Sequence, residues 1–423
     1  MTVDTNSTGL RPRRRIRLRR WREGRWLSLL VGMVEFTLCA RWLGLRLMGV
    51  AADALGLSAR AGEATRAYHR LNSLMRRPTE AADARMEIRG RAPIVHLYGS
   101  PADMGDQYGR LLAEPLRAME QCIVAAIPTR MGEHFATMAN KLARHVPEAT
   151  RAEITAVADA AGVSVELLMA LNVVTRLACT TVAARNDAGR IVMGRNGDFF
   201  SMGFADRGMV VAVRHPADGH ATAAVGVLGV IGAYTGVSAA GVAFGNMLVF
   251  NAAGPQLHPK GLPMQIALRQ AAERAGSAEE MSTILRGQRH AAPMNVMMAD
   301  ADDAVVTELG LKGSAVRRAG ADGLLVATNH FRTPELADHP EQCTRYQRLT
   351  SDNDGRPVVM DVTAVKAALH RTRIPLMNLQ AVVFEPAAMR MHVSVNRLPA
   401  SAGPYLVMDL RELFALPPAE MLQ

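Results

Sequence analysis

Cysteine is scarce in this 423-residue chain. The four cysteines, at 39, 122, 179 and 343, show no Cys-x-x-Cys spacing. Neither a zinc knuckle nor a disulfide framework is implied, and a reducing compartment, the cytoplasm, is the simplest home. Aromatic residues make up only 4%, and no aromatic-basic interleaving of the RNA-binding kind occurs. No apolar run is long enough to cross a bilayer: Leu27–Ala40 is short and contains Glu35, and such segments do not span comfortably. The histidines at 215, 220, 258, 290 and 339 lack metal-ligand spacing and no His-Glu-x-x-His occurs. There is no Gly-x-Ser-x-Gly elbow, and Gly232–Gly241 has no lysine to form a phosphate loop. No metal and no cofactor are expected. No internal repeat is evident.

What is abundant is positive charge, but it is local. The net charge is +10, and residues 11–25 hold nine arginines against one glutamate, a net of +8, leaving about +2 for the rest. Basicity belongs to a tail, so no nucleic acid partner is expected. Residues 1–26 read as a basic disordered tail. Residues 27–84 read as an apolar helical extension. Trp21, Trp26 and Trp42 sit beside arginines and apolar runs, so 11–57 suit a membrane-surface anchor; a helical hairpin packed on the body is the alternative.

From Arg85 the pattern becomes globular. Ile94–Tyr98 is strand-like, Gly99-Ser100-Pro101 makes a turn, and a helix follows whose Gly105 and Gly109 permit close packing. Helical patterns continue to Leu177. Past residue 178 short apolar runs dominate, at 209–214, 221–231 and 241–249. Two helices follow, one opening at Pro263 and one at Ser277, where Glu280 completes a capping-box pattern. Strands are expected at 294–299, 304–309 and 324–328, helices at 341–352 and 361–370, and a last hairpin pairs 379–384 with 389–395.

The stretch from Ala178 to Phe200 carries the chemistry. Two apolar runs flank Asn186-Asp187-Ala188-Gly189, which predicts a β-hairpin placing Cys179 opposite Asn196 or Gly197. Either register brings the thiol close to Arg195 and Asp198. A nucleophilic thiol needs a base or a positive neighbour; a buried core cysteine is the bland alternative.

Cys179-Thr-Thr followed by Gly194-Arg195-Asn196-Gly197-Asp198 resembles the signature of N-terminal-nucleophile (Ntn) hydrolases. The resemblance is to the acyl-coenzyme A:6-aminopenicillanic acid acyltransferase family, with choloylglycine hydrolases and the acid ceramidase and N-acylethanolamine amidase group as more distant relatives. In those relatives an arginine follows the nucleophilic cysteine by sixteen residues and an aspartate by nineteen, as Arg195 and Asp198 follow Cys179 here. The resemblance covers 85–423. It implies an α+β fold, a four-layer αββα sandwich at 179–423 preceded by a mostly helical pro-region at 85–178.

The same resemblance implies roles. Backbone cleavage between Ala178 and Cys179 would free the α-amine of Cys179 as base, Asp198 would orient that amine, and Arg195 would steer the thiol. Asn329, in Thr328-Asn329-His330, is the better oxyanion candidate, and Asn246 a second, unless it is turn chemistry. Arg345 supports the nucleophile's surroundings, with Arg348 one helix face along as the alternative. His330 reads as structural. The expected enzyme is an autoproteolytic thiol amidohydrolase or acyltransferase on an acyl amide or acyl-coenzyme A. A membrane-tethered scaffold on an inactive fold is the competing expectation.

Overall fold

The computed structural model describes residues 59–81, 83–126, 133, 137, 139–174, 178–199, 205–254, 256–258, 260–339, 342–351 and 356–415. The expectations for 1–26 and for 11–57 lie outside the described residues. Among the described residues no helix is long and apolar enough to cross a membrane.

The region ahead of Cys179 runs α1 (Ala59–Leu74), β1 (Thr79–Ala81), β2 (Ala84–Arg89), β3 (Ala92–Gly99), α2 (Pro101–Leu111), α3 (Ala113–Ala126), α4 (Glu148–Ala161) and α5 (Val165–Val174). β3 contains the strand expected at Ile94–Tyr98, while β1 and β2 are strands that the sequence reading does not include. Beyond it come β4 (Ala178–Arg185), β5 (Ile191–Asp198), β6 (Met209–Pro216), β7 (Thr222–Val227), β8 (Thr235–Ser238) and β9 (Ala243–Leu248). Then α6 (Met264–Ala272) and α7 (Ala278–Arg286) precede β10 (Met294–Ala299), β11 (Ala304–Leu309), β12 (Ser314–Arg318) and β13 (Leu325–Ala327). The chain closes with α8 (Thr344–Thr350), α9 (Val362–Thr372), β14 (Asn378–Glu385), β15 (Arg390–Val395), β16 (Leu406–Asp409) and α10 (Leu410–Ala415).

Two sheets result. One has ten strands in the order β1-β2-β3-β6-β7-β8-β9-β10-β11-β12, the other six in the order β13-β4-β5-β14-β15-β16. The pairing is antiparallel except between β3 and β6. That parallel pair joins the region before Cys179 to the region after it, so the larger sheet is built across the expected cleavage point.

β5, β10 and β11 are buried at every position, as strands covered on both faces must be. One core cluster joins Cys179, Met193, Phe244, Val296 and Val382 between the sheets, and takes in Met281 and Leu285 of α7. Val365 and Leu369 of α9 pack against Val182, Val192 and Val383 on the far face of the six-stranded sheet. The layers are therefore helix, sheet, sheet, helix.

Local signals act as the sequence implies, with one change. A Cβ on Gly105 would lie 2.4 Å from Glu153 O, and one on Gly109 2.7 Å from Val157 O; both glycines let α2 lie directly on α4. Ser277 Oγ accepts the Glu280 N–H at 3.1 Å, but the Glu280 carboxylate accepts from Gly276 N at 2.8 Å rather than closing the box on Ser277. A full capping box occurs instead at Ser100 and Asp103.

Candidate active site

The β4–β5 hairpin sets the register. Cys179 pairs with Gly197, Ala178 with Asp198 and Thr180 with Asn196, one of the two expected registers. Asn186 Oδ1 fastens the turn by accepting the Ala188 and Arg190 N–H groups at 3.1 and 2.9 Å. Gly194 and Gly197 keep β5 open to its neighbours: an added Cβ at 197 would meet Arg195 Nη1 at 2.8 Å and Gln380 Cγ at 2.7 Å.

Cys179 is fully buried. Arg195, also fully buried, donates from Nη2 to Cys179 Sγ at 3.0 Å and to Asn246 O at 3.1 Å. Its aliphatic stem lies on Gly245 of β9, where a Cβ would come within 2.6 Å of Arg195 Cδ. Among the described residues Arg195 Nε and Nη1 have no hydrogen-bond partner. A buried guanidinium with free donors is costly unless charge appears beside it. Burial pushes the Cys179 thiol up, Arg195 pulls it down, Asp198 raises it and Arg345 lowers it, and burial dominates. In this closed form the sulfur keeps its proton until a base accepts it.

Asn329 ends the β13 segment and faces Cys179 with its oxygen. Its Oδ1 accepts the Cys179 N–H at 2.9 Å, and its Nδ2 donates to Leu248 O at 2.7 Å. A backbone N–H can only donate and a carbonyl can only accept, so the amide orientation is fixed by both. Toward Cys179 it is an acceptor, not the oxyanion donor expected from sequence. Asn246 has the opposite character: its Nδ2 donates to the thioether of Met264, a weak acceptor, and its Oδ1 has no hydrogen-bond partner among the described residues.

Arg345, at the start of α8, donates to Cys179 O and Thr180 Oγ1 from Nη1 and to Asn329 Oδ1 from Nη2, the last two at 2.9 Å. Arg348 turns outward and donates to Arg371 O. Of the two arginines, Arg345 is the one at the site.

Asp198 is buried, and its pKa is pushed up to about 6 by burial, against the lowering effect of Asn378, Arg345, the Ile374 backbone and Arg195. Its Oδ1 accepts from Asn378 Nδ2 at 2.9 Å, while Oδ2 has no hydrogen-bond partner among the described residues. Thus all six expected side chains gather around Cys179, five of them buried and Arg345 half-buried. Sequence reasoning missed Asn378; its only signal was an asparagine one residue ahead of the expected last hairpin. It also missed Cys343, a buried thiol beside His330 and Thr328. Burial raises that thiol, but hydrogen bonds from His330, the Tyr346 backbone and Thr328 outweigh it and hold the pKa to about 6. A separate cavity of ≈ 340 Å³, lined among others by Thr150, Glu153, Arg269 and Glu273, includes none of the six. Among the described residues no cluster of His, Cys, Asp or Glu has the makings of a metal site.

Paired sheets between helical layers, with a cysteine at the head of a central strand and an arginine and aspartate on the neighbouring strand, are the arrangement expected from the resemblance to N-terminal-nucleophile hydrolases. The model of the acyl-coenzyme A:6-aminopenicillanic acid acyl-transferase family matches residues 184–358. The match spans Arg195, Asp198, Asn246, Asn329 and Arg345 and begins just after Cys179. An uncharacterized protein of Archaeoglobus fulgidus is 25% identical over 295 residues, 59% of this chain and 47% of the relative. The chain therefore spans about half the length of the curated relative it matches. Among solved structures, a Caenorhabditis elegans N-acylethanolamine-hydrolyzing acid amidase ortholog is similar at TM-score 0.39 and 18% identity, covering 49% of this chain and 93% of that one. A variant of the conjugated bile acid hydrolase of Clostridium perfringens is similar at TM-score 0.37 and 12% identity, covering 55% and 93%. Overlaps this partial carry no argument about activity.

Proposed function

We propose that the chain is an autoproteolytic thiol enzyme that cuts or transfers apolar acyl groups through an acyl thioester on Cys179. The observation that carries this reading is the pair of contacts on one residue: Arg195 Nη2 on Cys179 Sγ at 3.0 Å and Asn329 Oδ1 on Cys179 N at 2.9 Å. Sulfur and nitrogen of the same residue are each held by a side chain of fixed orientation, which supports their acting together as nucleophile and base.

In processing, the Cys179 sulfur attacks the Ala178 carbonyl carbon and the thiol proton passes to the Cys179 nitrogen as the Ala178–Cys179 C–N bond breaks. Water then cleaves the thioester, leaving the Ala178 carboxylate, the thiol and a free α-amine. Such an amine has a reference pKa of about 7.7–8.0 and accepts the thiol proton near neutral pH. In turnover the sulfur attacks the acyl carbonyl and the leaving amine, or the leaving thiol of a thioester substrate, departs with a proton. Water or an acceptor amine then takes the acyl group. Asn329 Oδ1, already an acceptor toward the Cys179 nitrogen, would hold the new amine together with Asp198. Asn246 Nδ2, bound only to a thioether, would turn to the oxyanion, a donor whose loss typically costs about 10²–10³ in rate. Of the two oxyanion candidates expected from sequence, this keeps Asn246 in that role and assigns Asn329 to the amine. Acyl substrates partition to membrane surfaces, and the arginines and tryptophans of 11–57 suit bringing the enzyme there.

The test is acyl-enzyme trapping. Quenched reactions with a long-chain p-nitrophenyl ester or acyl-coenzyme A should leave a hydroxylamine-sensitive acyl mass on the peptide that begins with Cys179, absent in Cys179→Ala. An adduct on another residue would overturn the assignment.

A further inference from the structure

Asp198 has Oδ1 engaged by a residue outside the motif, and among the described residues Oδ2 has no hydrogen-bond partner. Asn378 opens β14 opposite Asp198, just before a register shift between Asn378 and Gln380. Its Nδ2 donates to Asp198 Oδ1 at 2.9 Å, to Asn196 Oδ1 at 3.2 Å and to Gln380 O at 3.2 Å. Its Oδ1 accepts the Ser401 N–H at 2.8 Å. Because a backbone N–H can only donate, Ser401 fixes which end of the amide faces the carboxylate. Asn196 is locked in the same way: its Nδ2 donates to Leu369 O at 2.7 Å, so its oxygen faces Asn378. All three side chains are fully buried.

We infer that Asn378 is a positioning residue, which occupies Oδ1 of Asp198 so that Oδ2 is the oxygen presented to the α-amine of Cys179. The inference rests on the Cys179 reading above. An aspartate held through one oxygen has a single direction left for the other, and the β4–β5 register sets Ala178, the residue before the future amine, directly across from it. Without the amide, the carboxylate gains a rotational choice and loses a hydrogen bond that favours its charged form. The groups acting on Asp198 from the elements around it are Cys179 of β4, Arg195 of β5, Arg345 of α8, the Ile374 backbone after α9, and Asn378 itself. Asn378 is the one among these side chains that does not titrate, so it orders the carboxylate without pairing with its charge.

The experiment is the pH profile of kcat/KM for p-nitrophenyl acyl ester hydrolysis by wild type, Asn378→Ala, Asn378→Asp and Cys179→Ser, with thermal unfolding of each. Asn378→Ala is expected to move the acid limb upward by about one pH unit, so that its deficit is near tenfold larger below pH 6 than at pH 8. Asn378→Asp keeps an acceptor for Ser401 but sets a second carboxylate against Asp198, and should move the limb further. A loss uniform across pH, with the limb unmoved, would overturn the inference and leave Asn378 a structural residue. Failure of both Asn378 variants to fold would do the same. Activity at the wild-type level in Cys179→Ser would instead overturn the nucleophile assignment itself.

Discussion

Gly245→Ala isolates the placement of Arg195 from its charge. The glycine lies on β9 under the arginine stem, and its added Cβ would stand 2.6 Å from Arg195 Cδ and 3.2 Å from Cγ and Nε. Carbon atoms rest about 3.5–4.0 Å apart, so the stem must retreat by roughly 1 Å. It has little freedom to do so, being fully buried and tied through Nη2 to both Cys179 Sγ and Asn246 O. Overpacking of this kind costs about 1–3 kcal/mol, and a displacement of about 1 Å at a reacting group costs about 10² in rate. Gly226→Ala on β7 is the control, since nothing lies within 4 Å of its added Cβ; a change of under about 0.5 kcal/mol is expected there. Urea unfolding and initial rates on an acyl ester measure both effects. Gly245→Ala with wild-type rate and stability would refute the view that Arg195 is held in one position by packing.

Other outcomes follow from the same geometry. Asp198, whose pKa is raised from 3.8 to about 6, should give activity that falls as pH drops through about 6, and Asp198→Asn should abolish that limb; an unchanged limb in the variant would assign it to another group. The stability contribution has the opposite sense, because a raised acid pKa favours the protonated folded state and is lost as pH climbs from about 4 to about 6. Arg269 of α6 holds both Glu153 oxygens at 2.7 Å, with Arg214 Nε at 3.7 Å. Arg269→Met should therefore destabilise by about 3–5 kcal/mol in urea unfolding, and wild-type stability in that variant would contradict this. Cys343, held to about 6, should be alkylated by iodoacetamide at pH 7 well before Cys122, which burial pushes up to about 12; peptide mapping with the opposite order would contradict this.

The hairpin register was legible in the sequence because a turn with strong asparagine and glycine signals left only two ways to pair the flanking runs, and both brought Cys179 beside Arg195 and Asp198. The strands at 294–299 and 304–309 were legible because burial on both faces leaves continuous apolar runs. β12 was not: it is an edge strand of the larger sheet whose residues Ser314–Arg318 are exposed or half-buried, so no apolar period marks it. The run 221–231 overshoots its strand because the chain leaves β7 after Val227 and turns at Gly229, whose φ is +81°. The asparagine roles were hidden for a different reason. Which end of Asn329 faces Cys179 is decided by the Leu248 carbonyl, a backbone group that no side-chain motif records. Asn378 escaped because its partners are 180 residues away in sequence and meet it only through β5–β14 pairing.

The most direct test of the central claim is the intact mass of freshly purified protein, with amino-terminal sequencing of each species. The account predicts two chains, one ending at Ala178 and one beginning with Cys179, held together in solution by the larger sheet, and a single uncut chain for Cys179→Ala. A wild-type protein that stays in one piece while turning over acyl substrates would contradict it.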